Sequence, residues 1–122
     1  MDMNVVLNSV LIALISLFII SRLLPVKGVK NISGKELKDE LKKKNKQLID
    51  VRTPGEFRGN HIQGFRNMPL NELVQKATSL DKNKEVIVIC QSGMRSKQAA
   101  KILKKMGFKQ IINVSGGMNA WS

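Results

Sequence analysis

The stretch Glu85-Val86-Ile87-Val88-Ile89-Cys90-Gln91-Ser92-Gly93-Met94-Arg95-Ser96 (EVIVICQSGMRS) decides the fold. Within it Val86-Ile87-Val88-Ile89 form an unbroken apolar, β-branched run, the pattern of a strand buried on both faces of a parallel sheet. The residues after it, from Ser96 to Met106, place Ala99, Ile102, Leu103 and Met106 on one helical face, and Gly107 follows as a C′ residue. A buried strand, a short turn and an amphipathic helix make one half of a βαβ unit. The turn must fold back so that the helix packs on the sheet, which aims backbone N–H groups and the helix N-terminus into its concavity. Such a loop favours an anion and lowers the pKa of a thiol placed there. Gly93 frees the turn, and Arg95 supplies a fixed charge able to fork onto an oxyanion. Cys90, the single cysteine of the chain, therefore reads as a nucleophile or as a small buried hydrophobe at a strand end, and local physics leaves both open.

Outward from this stretch the same alternation continues. Ser33-Gly34-Lys35-Glu36 fits a capping box, with Ile32 and Leu37 placed as a hydrophobic staple, and predicts a helix over 34–45. QLIDV (47–51) reads as a strand, TPGEF (53–57) as a turn into a brief helix, and HIQGFRNMPL (61–70) as loop with a short strand. NELVQKATSL (71–80) predicts a helix and QIINV (110–114) the last long strand. This is an α/β domain with a small, mostly parallel sheet flanked by helices. Ligands of such sheets bind beyond the carboxyl ends of the strands, where Asp50, Cys90 and the Ser115-Gly116-Gly117 turn all fall.

The N-terminus reads differently. Between Val5 and Leu24 only Arg22 is charged. About 20 apolar residues make a helix of roughly 30 Å, the thickness of a bilayer core. Asp2 precedes this run and SRLLPVKG follows it, where a cleaved leader wants a basic start and a small-x-small end. Residues 1–24 are thus expected to be a transmembrane anchor, 25–31 a linker and 32–122 the folded domain. Arg22, Lys27 and Lys30 flank only the C-terminal side, so the positive-inside rule expects a single-pass protein of the cell membrane with its domain on the cytoplasmic side.

Composition bounds the chemistry. One cysteine excludes an intramolecular disulfide framework, and one histidine with one cysteine argues against a zinc site. The net charge of +12 comes from lysines spread over helix faces and turns, with four Phe and one Trp and no basic-aromatic interleaving. This argues against nucleic acid and suits a solvated surface attracted to anionic lipid. SGMRSK lacks the glycine spacing of a P-loop. Only Gln91, Ser92, Gly93 and Met94 separate Cys90 from Arg95, one residue fewer than in the phosphatase cradle. The tighter loop suits a single sulfur atom better than a phosphate.

DVRTPGEF (50–57), GNHIQGFRNMPL (59–70), VIVICQSGMRS (86–96) and NVSGGMNAW (113–121) occur in one order, with Cys-x-x-Gly-x-Arg among them. In this the chain resembles a single-domain rhodanese, over nearly all of 32–121. The resemblance implies the rhodanese α/β fold and sulfurtransferase activity of the thiosulfate:cyanide type, with no cofactor and no metal. It makes Cys90 the sulfur-accepting nucleophile that carries a persulfide. The loop Gln91, Ser92, Gly93, Met94 and Ser96 would surround the terminal sulfur, and Arg95 would bind or orient the anionic donor. Asp50 and Arg52 would buttress the loop. His61 matches a family His-Ile-x-Gly element, in which Phe65 replaces a small residue; it reads as bonding backbone in a turn. Gly116, Gly117 and Trp121 read as turn and packing residues. Gln91 stands where relatives carry Arg or Lys, which leaves persulfide donors open beside thiosulfate. With no second cysteine, the acceptor is an external thiol, a thioredoxin-like protein among the candidates, or cyanide. Two other readings are an idle rhodanese-like module that binds a partner at the membrane, and a phosphatase or arsenate reductase on the same fold.

Overall fold

The computed structural model describes residues 2–24 and 26–122. Met1 and Pro25, the first residues of the expected anchor and linker, lie outside the described residues. Five parallel strands form one sheet in the order β1-β5-β4-β2-β3: β1 (Val29–Ile32), β2 (Gln47–Asp50), β3 (Arg66–Asn67), β4 (Val86–Ile89) and β5 (Ile111–Val114). β4 lies at the centre with all four residues buried, as its unbroken apolar run requires. Its side chains alternate between two cores. Val86, Val88 and Cys90 face α4 (Leu73–Lys76) and α5 (Met94–Lys105), meeting Leu73, Ala77, Ala99, Ala100 and Leu103. Ile87 and Ile89 face the other side, where Leu37 of α2 (Gly34–Glu40) joins Ile62, Phe65 and Met118. Phe65 fills this second core at 5 % exposure, so the departure from a small residue is absorbed by packing.

Three boundaries differ from the sequence reading. Val29, Lys30 and Asn31, placed in the linker, pair with Ile111, Ile112 and Asn113 as the edge strand β1. Lys30 and Asn31 are exposed and only Ile32 is buried, so the strand carries almost no hydrophobic signal. The helix expected over 34–45 stops at Glu40, because turns through residues 41–45, ending on Asn45 in the left-handed region (φ 66°), bring Lys46 between Glu40 and Glu85. The helix expected over 71–80 is one α-turn, α4, between two 3-10 turns. There Thr78 and Ser79 hydroxyls donate back to the carbonyls of Gln75 and Lys76, competing with regular helix.

α1 (Met3–Leu23) precedes the domain, with no buried side chain and an Asp2 cap on the Asn4 N–H. Its length and composition suffice to cross a bilayer, a test that a leader sequence also passes.

Candidate active site

The sheet order places the carboxyl end of β4 between those of β2 and β5. Asp50, Cys90 and the turn after Val114 accordingly share one rim. Cys90 follows the last residue of β4 and is fully buried. Gly93 then adopts φ 99°, a conformation open to glycine, and turns the chain directly into α5. The helix thus starts at Met94, two residues before the Ser96 expected from sequence. Periodicity reports the buried face, which begins at Ser96, and not the exposed first turn.

This geometry gives the sulfur one backbone donor and one hydroxyl acceptor. The Gly93 N–H donates to Cys90 Sγ at 3.0 Å. Ser96 Oγ lies 3.3 Å from Sγ, accepts from the thiol, and donates to Gly93 O at 3.1 Å. Gly93 offers no side-chain cap, so the N–H groups of the first turn of α5 keep free hydrogen-bonding capacity beside the thiol. The loop is pinned from below. Met118 N–H donates to Cys90 O at 2.8 Å, and Asn119 N–H to Gln91 O at 3.0 Å. That approach requires Gly117, whose φ is 58°: a Cβ there would stand 2.4 Å from Cys90 O. Gly116 packs beside it against Ala120, and Trp121 lies against the second core under Lys38, away from the sulfur.

Two arginines border the loop in different states. Arg52 is 1 % exposed and forms a buried pair with Asp50, Nη2 to Oδ2 at 2.8 Å and Nε to both oxygens at 3.1 Å. Its remaining reach goes to Asn60 O at 2.7 Å and to Gln91 Oε1 at 3.3 Å, which ties β2 to the cysteine loop. Gln91 Nε2 continues the chain to Asn119 Oδ1 at 2.7 Å. Asn67 Nδ2 bridges the carbonyls of Asp50 and Arg52, both at 3.0 Å, and fixes the turn that carries them.

Arg95 forks onto a carboxylate of the protein itself. Its Nη1 and Nη2 donate to Glu56 Oε1 and Oε2 at 2.7 and 2.9 Å. Glu56 sits in the first turn of α3 (Pro54–Gly59), where it closes a capping box with Thr53. The Arg95 hydrogen bonds push its carboxyl down to about 2, with Thr53 assisting, and Glu56 in turn raises the Arg95 pKa. Beside Arg95 a cleft of about 270 Å³ opens between Val51, Pro69 and Leu70.

Of the residues singled out from sequence, Asp50, Arg52 and Gln91 share one hydrogen-bonded chain, Cys90, Gly93 and Ser96 another, and Arg95 pairs with Glu56 beside them. Met94 and Ser92 are exposed at the edge of the loop, Met94 at 56 %. His61 stands apart, with Nδ1 2.8 Å from Phe57 O and its ring stacked on Phe57 at 3.9 Å. Sequence reasoning missed Glu56 and Asn119. The Thr53-x-x-Glu56 pattern announces the first as a cap residue, but nothing in it announces a partner 39 residues away.

Comparison with known proteins agrees with this architecture. Residues 33–122 match the Rhodanese-like domain family. The Bacillus subtilis putative sulfurtransferase YtwF is 39 % identical over 94 residues, covering 76 % of the chain and 90 % of YtwF. The uncharacterized B. subtilis protein YqhL is 47 % identical over 75 residues, which cover 62 % of the chain but only 60 % of YqhL. The crystal structure of a rhodanese-like domain protein from Staphylococcus aureus superposes with a TM-score of 0.71 at 33 % identity, over 76 % of this chain and 91 % of that one. A parallel sheet with a cysteine loop at the carboxyl end of its central strand, matched along the whole domain, places the chain in the rhodanese family.

Proposed function

We propose that the chain is a sulfurtransferase that carries sulfane sulfur as a persulfide on Cys90, moving it from thiosulfate or a persulfide donor to a thiol or cyanide acceptor. The observation that carries this reading is Cys90 Sγ, held by the Gly93 N–H at 3.0 Å beside the uncapped start of α5. In the first half-reaction the Cys90 thiolate attacks the outer sulfur of the donor. The S–S bond of thiosulfate breaks, and its electron pair leaves on sulfite. The Gly93 N–H and the uncapped amides of the first turn of α5 hold the terminal persulfide anion, and Arg95 attracts the donor's negative charge. In the second half-reaction an external thiolate or cyanide attacks that terminal sulfur, and the electron pair of the breaking bond returns to Cys90. Such a scheme runs with ping-pong kinetics.

Asp50 and Arg52 act as positioning residues, since they reach the loop only through Gln91. Ser92 and Met94, exposed at the loop edge, meet the incoming donor or acceptor. The folded domain runs from β1 to residue 122, α1 inserts as a single-pass anchor, and the basic residues after it keep the domain on the cytoplasmic side. A cytoplasmic thiol, including that of a thioredoxin-like protein, then has direct access to the loop. The test is intact mass after incubation with thiosulfate, with Cys90→Ser as control. A gain of one sulfur atom that depends on Cys90 is expected. No gain with either thiosulfate or a small-molecule persulfide overturns the proposal.

A further inference from the structure

The segment after α1 does not leave the domain freely but runs along α5. Lys97 Nζ donates to Arg22 O at 2.6 Å near the start of that helix, and Lys104 Nζ donates to Lys27 O near its end. Val26 lines an open, largely apolar groove of about 440 Å³ together with Lys101, Lys104 and Lys105. The inner face of α5 is committed to the sheet through Ala99, Ala100 and Leu103, so its lysines form the outer face. That face has no counter-charge: α5 contains no acidic residue, and none of its four lysines joins an ion pair among the described residues. The cations therefore line the path of the tether, beside the end of the helix read above as membrane-spanning.

We propose that the outer face of α5, through Lys97, Lys101, Lys104 and Lys105, docks on the anionic headgroup layer of the bilayer that α1 enters. The inference rests on the reading of α1 as an anchor. Charge complementarity selects the occupant. Lys97 and Lys104 hold the tether through its carbonyls and add their charge to the face, while the ammonium groups of Lys101 and Lys105, with no such bond among the described residues, extend to the phosphates. A 12-residue helix is about 18 Å long, so its lysines can address several headgroups at once. Each lysine near an anionic leaflet strengthens attachment roughly fivefold and acts within a Debye length of about 8 Å at physiological salt. A tether this short holds the face within that distance. Because the first turn of α5 borders Cys90, docking also fixes the cysteine loop close to the membrane surface.

The test uses the full chain in lipid nanodiscs of phosphatidylcholine alone, or with about a third phosphatidylglycerol. Lysine acylation is read site by site by mass spectrometry. The expected result is roughly fivefold or greater protection of Lys97, Lys101, Lys104 and Lys105 by phosphatidylglycerol, lost in high salt. Lys38, Lys42 and Lys44, on and beyond α2 across the sheet, are expected to label equally in both. The double variant Lys101→Glu/Lys105→Glu should lose the remaining protection while retaining its circular dichroism spectrum. Equal labelling of α5 in both discs overturns the proposal while leaving the anchor reading intact. Attachment only to phosphatidylglycerol discs, reversed by salt, supports the lysine face and overturns the anchor. Equal protection by an RNA oligonucleotide without anionic lipid overturns the lipid assignment in favour of nucleic acid.

Discussion

Glu56→Gln separates two roles that the Arg95–Glu56 pair could play. Glutamine keeps the capping box with Thr53 but removes the charge that holds the guanidinium. Carrying a carboxyl from its ordinary 4.5 to about 2 corresponds to roughly 3 kcal/mol in favour of the charged form. The two side chains are 36 % and 34 % exposed, however, and water screening reduces the pair to about 1 kcal/mol. A donor dianion that must displace Glu56 from Arg95 works against that amount, or a factor of about five. Glu56→Gln should therefore raise kcat/KM for thiosulfate about fivefold and leave kcat/KM for cyanide unchanged, since the second half-reaction needs no anionic donor. The domain should lose about 1 kcal/mol and about 5 °C in Tm. Initial rates of thiocyanate formation at varied thiosulfate, with cyanide saturating, measure the effect. A fall in kcat/KM of about tenfold would refute the reasoning, because Glu56 would then hold Arg95 in its working position and not compete for it.

Three further outcomes follow from the same contacts. Arg52→Met strands the buried Asp50 carboxylate and should destabilise the domain by about 3–5 kcal/mol in urea unfolding, whereas Asp50→Asn/Arg52→Met should recover part of that loss. Gly117→Ala, with φ 58° and a Cβ 2.4 Å from Cys90 O, should cost at least about 2 kcal/mol and abolish sulfur loading by displacing the loop. The folded-state pKa of Glu56 lies below its unfolded value, so its contribution is complete above about pH 5 and is lost as pH falls toward about 2. Comparison of urea stability at pH 7 and pH 3 should show wild type losing more than Glu56→Gln, by roughly half of that ~1 kcal/mol contribution.

Much of this domain was legible because its centre is hydrophobic in a regular way. β4 and the buried face of α5 announce themselves by period, and between them they locate Cys90. The edge strand β1 was read as linker because a strand that buries only Ile32 has no alternation to display. Within the site, the cysteine loop is legible in local sequence and Asp50 as a residue at a strand end, whereas Arg52 and its buttressing role come from the family resemblance. Glu56 and Asn119 were missed for the opposite reason. Each meets its partner across the fold, 39 and 28 residues away, and a surface cap or a terminal turn carries no pattern that encodes such a distance. Resemblance to a family carried the assignment of sulfur chemistry where local physics left even the role of Cys90 open.

Burial also decides which arginine is free to act. Arg52 donates to both Asp50 oxygens, Asn60 O and Gln91 Oε1, and its side chain is 1 % exposed. Releasing it to a substrate would leave a buried carboxylate uncompensated, at about 3–5 kcal/mol, more than an anion at a rim returns. Arg95 has one partner, is 36 % exposed and exchanges it for about 1 kcal/mol. The same residue type thus serves as a strut in one place and as an exchangeable cation in the other. The difference lies in where each stands: Arg52 in the turn after an interior strand, Arg95 on the first, solvent-facing turn of α5. On the proposed function, an anionic donor is therefore expected to meet Arg95, with Arg52 left as the strut of the cysteine loop.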